Sequence, residues 1–123
     1  MPCFSAENPC GSTAPQRPFL KLTDADGYPD GPTIDSEGCL WISLYSGWET
    51  RRYSPAGELL TRVRFPVPNI TKIAFGGPDL RTVFATTARQ GLSAEELERS
   101  PQAGDLFQFE VDVPGVSCAY VAD

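Results

Sequence analysis

Residues 27–45 read GYPDGPTIDSEGCLWISLY. Asp26-Gly27 and Asp30-Gly31 are strong turn pairs, because Gly takes positive φ without a Cβ clash. A short strand is expected over 33–35, then a turn at Ser36-Glu37-Gly38, then a longer apolar strand over 39–45. The run also sets one carboxylate, Asp30, at the mouth of a strand.

The rhythm continues outward. Strands are expected over 49–53 and 59–65, joined by the turn 54–57. It then repeats: strands over 70–75 and 82–87, with Gly76-Gly77-Pro78-Asp79 between them, then 105–112 and 116–121. Thr33-Ile34-Asp35 overlays Ile73-Ala74-Phe75, and Leu40-Trp41-Ile42-Ser43 overlays Val83-Phe84-Ala85-Thr86. The offset is about 40 to 43 residues, and four strands per such period describe a β-propeller blade. A single β-sandwich of short strands has similar turn spacing and stays open from rhythm alone. Between 87 and 105 lies the one helical piece. Ser93 is an N-cap candidate, Glu96 completes a capping box, and Ser100-Pro101 ends the helix.

Upstream, residues 1–16 are rich in Pro, Ser, Ala, Gly and Asn without a period, and are expected to be a flexible leader. Residues 18–23 alternate and are expected to form a strand. With 123 residues, 12 Pro and 11 Gly, the chain fits one small turn-rich β domain. A net charge of −6 argues against a nucleic-acid or anionic-membrane partner, since both call for a basic face. No apolar run reaches the ~18 residues of a membrane span, and the N-terminal residues lack the layout of a secretory signal. A cytoplasmic location is the default expectation.

Of the four cysteines, none forms a CxxC pair, and the chain has no His. That disfavours a structural zinc site. Cys39 and Cys118 sit in apolar contexts and are expected to be buried thiols; Cys3 and Cys10 lie in the leader, where a disulfide between them stays open although nothing favours an oxidising compartment. Asp35 and Glu37 read as solvated hairpin residues, and Arg51 and Arg52 as a solvated strand edge. Trp41 and Phe84 read as packing between blades.

Taken together, GYPDG-x-T-x-D-x-EG-x-LW, RRYSPAGELL, PVP, T-x-x-AFGGPDLRTVFATTAR-x-GLS and AGDLF resemble the senescence-marker-protein/regucalcin/gluconolactonase-like family from about Phe19 onward. The resemblance implies an all-β fold. The chain would hold two four-stranded blades plus one strand of a six-bladed β-propeller, with one short helix inserted in the second blade. The boundaries expected are a leader at 1–16, a strand of a preceding blade at 17–23, a blade at 28–66 and a final blade at 67–123. It also implies a metal-dependent sugar-lactone hydrolase. One divalent ion would sit at the channel mouth: Ca²⁺ or Zn²⁺, with Mg²⁺ or Mn²⁺ as further options. The family's PDG ligand falls on Asp30, which is also its candidate for activating the attacking water. Metal polarisation of a lactone needs no serine or histidine, so the lack of His is no objection. Thr71 and Lys72 occupy in the second blade a place close to that of Gly31 and Pro32, and are expected at the channel mouth.

The family's other ligands, a Glu and a mid-chain Asn, belong to motifs N-terminal to this region and are not found. Six blades of about 45 residues need roughly 270. The chain therefore reads as a C-terminal portion of the fold, inactive or weak alone. Two alternatives stand beside that reading. Three copies closing one ring would share a site with one Asp30 each, or the chain is a non-enzymatic β-module binding through open sheet edges. A sugar lactone or small ester is the expected substrate, and self-association the expected partner.

Overall fold

The computed structural model describes residues 15–118. The expected leader, with Cys3 and Cys10, lies mostly outside them. The chain forms two antiparallel sheets. The first runs β1 (Tyr28–Ile34), β2 (Leu40–Tyr45), β3 (Glu49–Tyr53) and β4 (Leu59–Arg64), each paired with the next. The second runs β5 (Ile70–Gly76), β6 (Thr82–Thr87) and β7 (Phe107–Glu110). A single helix, α1 (Ala94–Arg99), lies between β6 and β7. Ser93 Oγ accepts from the Glu96 N–H while the Glu96 carboxylate accepts from the Ser93 N–H, which satisfies two donors at the helix start.

Tight turns explain the all-neighbour topology. Ser54 Oγ accepts from the Ala56 and Glu58 N–H groups, and Gly57 takes φ +89°, so β3 returns directly into β4. β2 is buried on both faces, which accounts for its near-continuous apolar run LWISLY. Alternation sends Trp41 to one side and Ile42 and Leu44 to the other.

Trp41 enters the larger core, formed where the two sheets meet. It packs edge-on to Phe75 of β5, with ring centroids 6.1 Å apart, and against Phe109 of β7 at 6.3 Å. Phe65 and Val67 of the connection, with Ile73, Val83 and Ala85, complete that core. Such edge-to-face pairs contribute about 0.5–1.5 kcal/mol each beyond the area they bury. Ile42, Leu44 and Tyr53 form a second cluster, covered by Leu20 and Leu22.

Four expectations are corrected. Residues 18–23 form no strand; among the described residues no strand pairs with them, and Leu20 and Leu22 pack on the first sheet. The second sheet has three strands among the described residues, not four. Residues 116–118 are not strand, and 119–121 lie outside the described residues. Phe84 falls on the opposite face of β6 from the buried Val83 and Ala85, and lies over Gly76 instead of joining the core. Cys118 is exposed, whereas Cys39 is buried.

Instead of pairing with β7, the chain after it crosses back to the first sheet. The Val111 N–H donates to Arg81 O, the Gly115 N–H to Leu80 O, and the Ser36 N–H to Pro114 O, each at 2.9 Å. Asp35 and Gly115 form an isolated bridge. Residues 111–115 thus strap the two sheets together. Among the described residues no helix is long and apolar enough to cross a membrane.

Candidate functional site

Asp30 lies in β1 opposite Ser43 of β2. Directly after it the register of β1 shifts between Asp30 and Thr33, and Gly31 takes φ +47°. The second sheet repeats this irregularity, with a shift between Ile70 and Lys72 of β5. The two irregular points meet. A Cβ on Gly31 would stand 2.4 Å from Thr71 O and 2.8 Å from Lys72 Cβ, so only Gly allows this approach. Asp30, Thr71 and Lys72 therefore belong to one locality where β1 and β5 touch. The Thr71 side chain is pinned from behind, with its Oγ 2.7 Å from Thr86 Oγ. Lys72 is exposed.

Charge pairing separates Asp30 from its neighbours. Asp26, Asp30, Asp35 and Glu49 are the described carboxylates withdrawn from full exposure. Asp26 pairs with Arg51 at 3.0 Å and Asp35 with Arg52 at 2.7 Å. Glu49, 2% exposed, takes Arg51, Arg64 at 3.1 Å and Arg62 at 3.6 Å. Asp30 takes part in no ion pair among the described residues.

Asp35, Glu37, Arg51 and Arg52 overturn the expectation of solvated hairpin and edge residues, except that Glu37 remains exposed. Asp35 is 1% exposed and accepts from the Glu37 and Cys39 N–H groups, Trp41 Nε1 and Arg52 Nε. Burial alone raises its carboxyl. Hydrogen bonds from Arg52, Trp41 and the two backbone donors outweigh that, and the group ends below the usual carboxylate range. Burial likewise works against the Arg51 cation, but Tyr53, Glu49 and Asp26 hold its pKa above the ordinary value. The Asp26 carboxyl is lowered by the Thr23 N–H and by Arg51. These groups are structural: they tie turns to strands.

Glu49 and Asn69 were missed. The period-2 spacing Glu49–Arg51–Tyr53 does place an acid, a base and a phenol on one face, so that pairing had a sequence signal. Asn69 had none. It is 1% exposed; its Oδ1 accepts from the Ser46 N–H at 3.0 Å, and its Nδ2 donates to Ala88 O at 3.4 Å and Gln90 O at 3.3 Å. It joins the β2–β3 turn to the segment after β6.

Among the described residues no three His, Cys, Asp or Glu side chains gather closely enough to hold a metal ion. Asp30 is one donor where Ca²⁺ takes about 6–8 oxygens. The donor set found here does not make a metal centre by itself.

Residues 4–89 match the family model described as SMP-30/Gluconolactonase/LRE-like region. The chain is 44% identical over 89 residues to a 6-deoxy-6-sulfogluconolactonase of Pseudomonas putida, covering 72% of this chain and 31% of that protein. It is 37% identical over 106 residues to rabbit (Oryctolagus cuniculus) regucalcin, covering 85% of this chain and 36% of the relative. Among solved structures, a regucalcin from Agrobacterium tumefaciens, described as a calcium-binding protein, superposes with a TM-score of 0.79 at 30% identity. That match covers 85% of this chain and 35% of the other. A luciferin-regenerating enzyme superposes at 0.73 with 34% identity, over 85% of this chain and 36% of that one. The chain thus spans about a third of the length of the relatives it matches. With most of its length matched by the family model and its sheets superposing on regucalcin-like propellers, the chain belongs to the SMP-30/gluconolactonase/LRE-like family.

Proposed function

We propose that this chain contributes Asp30 to a centre that hydrolyses a sugar lactone. The observation that carries the reading is the part-buried Asp30 carboxylate, outside every described ion pair, beside the contact of β1 with β5. Family membership supports the substrate class.

In this reading Asp30 takes a proton from water as the water oxygen attacks the lactone carbonyl carbon. The new C–O bond forms, the ring C–O bond breaks, and the ring oxygen leaves as a hydroxyl after taking up a proton. The product is the open-chain hydroxy acid. Thr71 and Lys72 line the mouth, where the exposed Lys72 ammonium attracts the polarised carbonyl oxygen. The family resemblance implies a divalent ion, Ca²⁺, Zn²⁺, Mg²⁺ or Mn²⁺, which would polarise the same carbonyl. The described donors alone do not complete its coordination shell.

The two sheets are read as successive blades of a six-bladed propeller, with α1 inserted in the second. A second form of this proposal stands beside the first. Three copies would then close the ring by heterologous contacts and bring one Asp30 each.

The test is gluconolactone hydrolysis by pH-stat with each divalent ion, combined with light scattering. The expected result is activity that Asp30→Asn lowers by at least about 100-fold, as for removal of a general base. Activity that Asp30→Asn leaves intact would sink the role of Asp30. A monodisperse 13.4 kDa species would sink the trimer. An assembled chain with no hydrolysis under any ion would favour a non-enzymatic β-module.

A further inference from the structure

A second cleft, with a volume of about 470 Å³, opens between the β2–β3 turn and α1. Its walls carry Ser46 and Trp48 on one side and Leu92, Glu96 and Arg99 on the other. It lies at the Asp30 end of the first sheet. From Ser43, which pairs with Asp30, to Ser46 is three residues, roughly 10 Å of strand rise.

The walls are held in place. Asn69 bonds Ser46 on one side and Ala88 and Gln90 on the other, and the Tyr45 hydroxyl donates to Gln90 O at 2.7 Å. The turn backbone is fixed by the Trp48 N–H to Pro68 O at 3.1 Å and the Phe65 N–H to Trp48 O at 2.9 Å. Those bonds hold Trp48 at φ +64°. Gly or Asn would sit there without difficulty, yet the position carries the bulkiest side chain, in a conformation that disfavours large residues. Trp48 is also 40% exposed, whereas Trp41 is 2% exposed in the core. Trp48 belongs to neither core cluster; it forms part of the cleft wall. Arg99, an exposed cation in the last turn of α1, pairs with no carboxylate among the described residues. An exposed indole, a free guanidinium, a carboxylate and a hydroxyl around a preformed cleft are a complement for a polyhydroxylated ring.

We propose that this cleft is a separate sugar-binding site, with a pyranose ring stacked on the Trp48 indole and its hydroxyls held by Arg99 and Glu96. The choice of ligand rests on the sugar-lactone reading, but binding here needs neither Asp30 nor a metal.

Because the chain has two Trp and only Trp48 is exposed, intrinsic emission reports the site. The full chain is titrated with D-glucose and with D-gluconate, without added metal. A saturable change in emission is expected with at least one of them. Trp48→Gly lacks the reporting indole, so it is compared with the parent by titration calorimetry; it should show no saturable binding heat, with the circular dichroism spectrum unchanged, since Gly accepts the turn's φ. Arg99→Ala should weaken binding about tenfold, the scale of a charge-assisted hydrogen bond. Asp30→Asn should leave the titration unaltered, which separates this site from the lactonase reading. No saturable change in emission, or a saturable binding heat that persists in Trp48→Gly, would overturn the proposal. So would loss of the emission change in Asp30→Asn.

Discussion

Gly31 packs against the backbone of Thr71, so closely that a Cβ on Gly31 would fall 2.4 Å from the Thr71 carbonyl oxygen. This contact joins β1 and β5, an edge strand of each sheet, immediately after Asp30. The atoms that would collide are backbone atoms of β5 and Lys72 Cβ, none of them at the free end of a flexible side chain.

Gly31→Ala should therefore destabilise the fold by about 2–4 kcal/mol, combining overpacking with a positive-φ penalty. Urea denaturation measures it. A change under about 0.5 kcal/mol, the range of an ordinary surface substitution, would show that β1 and β5 are not held this closely.

Acid should act through Asp35. Its folded carboxyl is lowered, so below the unfolded value near 3.8 the unfolded chain binds more protons than the folded one. The stability that this group contributes is fully present above that value, and is lost as pH falls through the lower folded one. Denaturation midpoints should drop below about pH 4, and Asp35→Asn should flatten that part of the profile. Equal acid slopes in both proteins would count against it.

Removing Asp35 altogether should be costlier than neutralising it. Asp35→Ala leaves the Arg52 guanidinium and Trp41 Nε1 without their buried acceptor, a loss of about 3–5 kcal/mol. Arg52 retains Glu37 at 2.8 Å, an exposed partner that compensates little. A chain that unfolds at the same urea concentration as the parent would contradict this account.

Gly115→Ala should loosen the strap between the sheets. A Cβ there would lie 2.3 Å from Phe75 Cγ, and Phe75 packs edge-to-face with Trp41. The expected cost is about 1–3 kcal/mol, with increased hydrogen exchange at the Ser36 and Gly115 amides. Unchanged exchange there would mean that the strap does not hold the sheets together.

Much of the local architecture was legible. β3 and β6 fall on 49–53 and 82–87 as read, because the turns that bound them are written in Gly, Pro and Ser. The helix start was legible in the Ser93–Glu96 pair. The strand over 18–23 was misread because alternation describes a strand only if a neighbour supplies hydrogen bonds. Arg51, Arg52 and Asp35 were misread because a charged residue on a strand looks solvated until the elements that cover it are known.

The GYPDG run shows where the division falls. The sequence set Asp30 at the mouth of a strand over 33–35, but it lies inside β1 (Tyr28–Ile34); what the sequence by itself determined is the turn chemistry and the period of the strands. These follow from residues within a few positions of one another. Only the tertiary structure decided which carboxylates are paired, that Gly31 meets Thr71, and that Trp48 and Arg99 face one cleft. Ion pairing, burial and close approach depend on residues brought together from distant parts of the chain, and no local pattern encodes those distances.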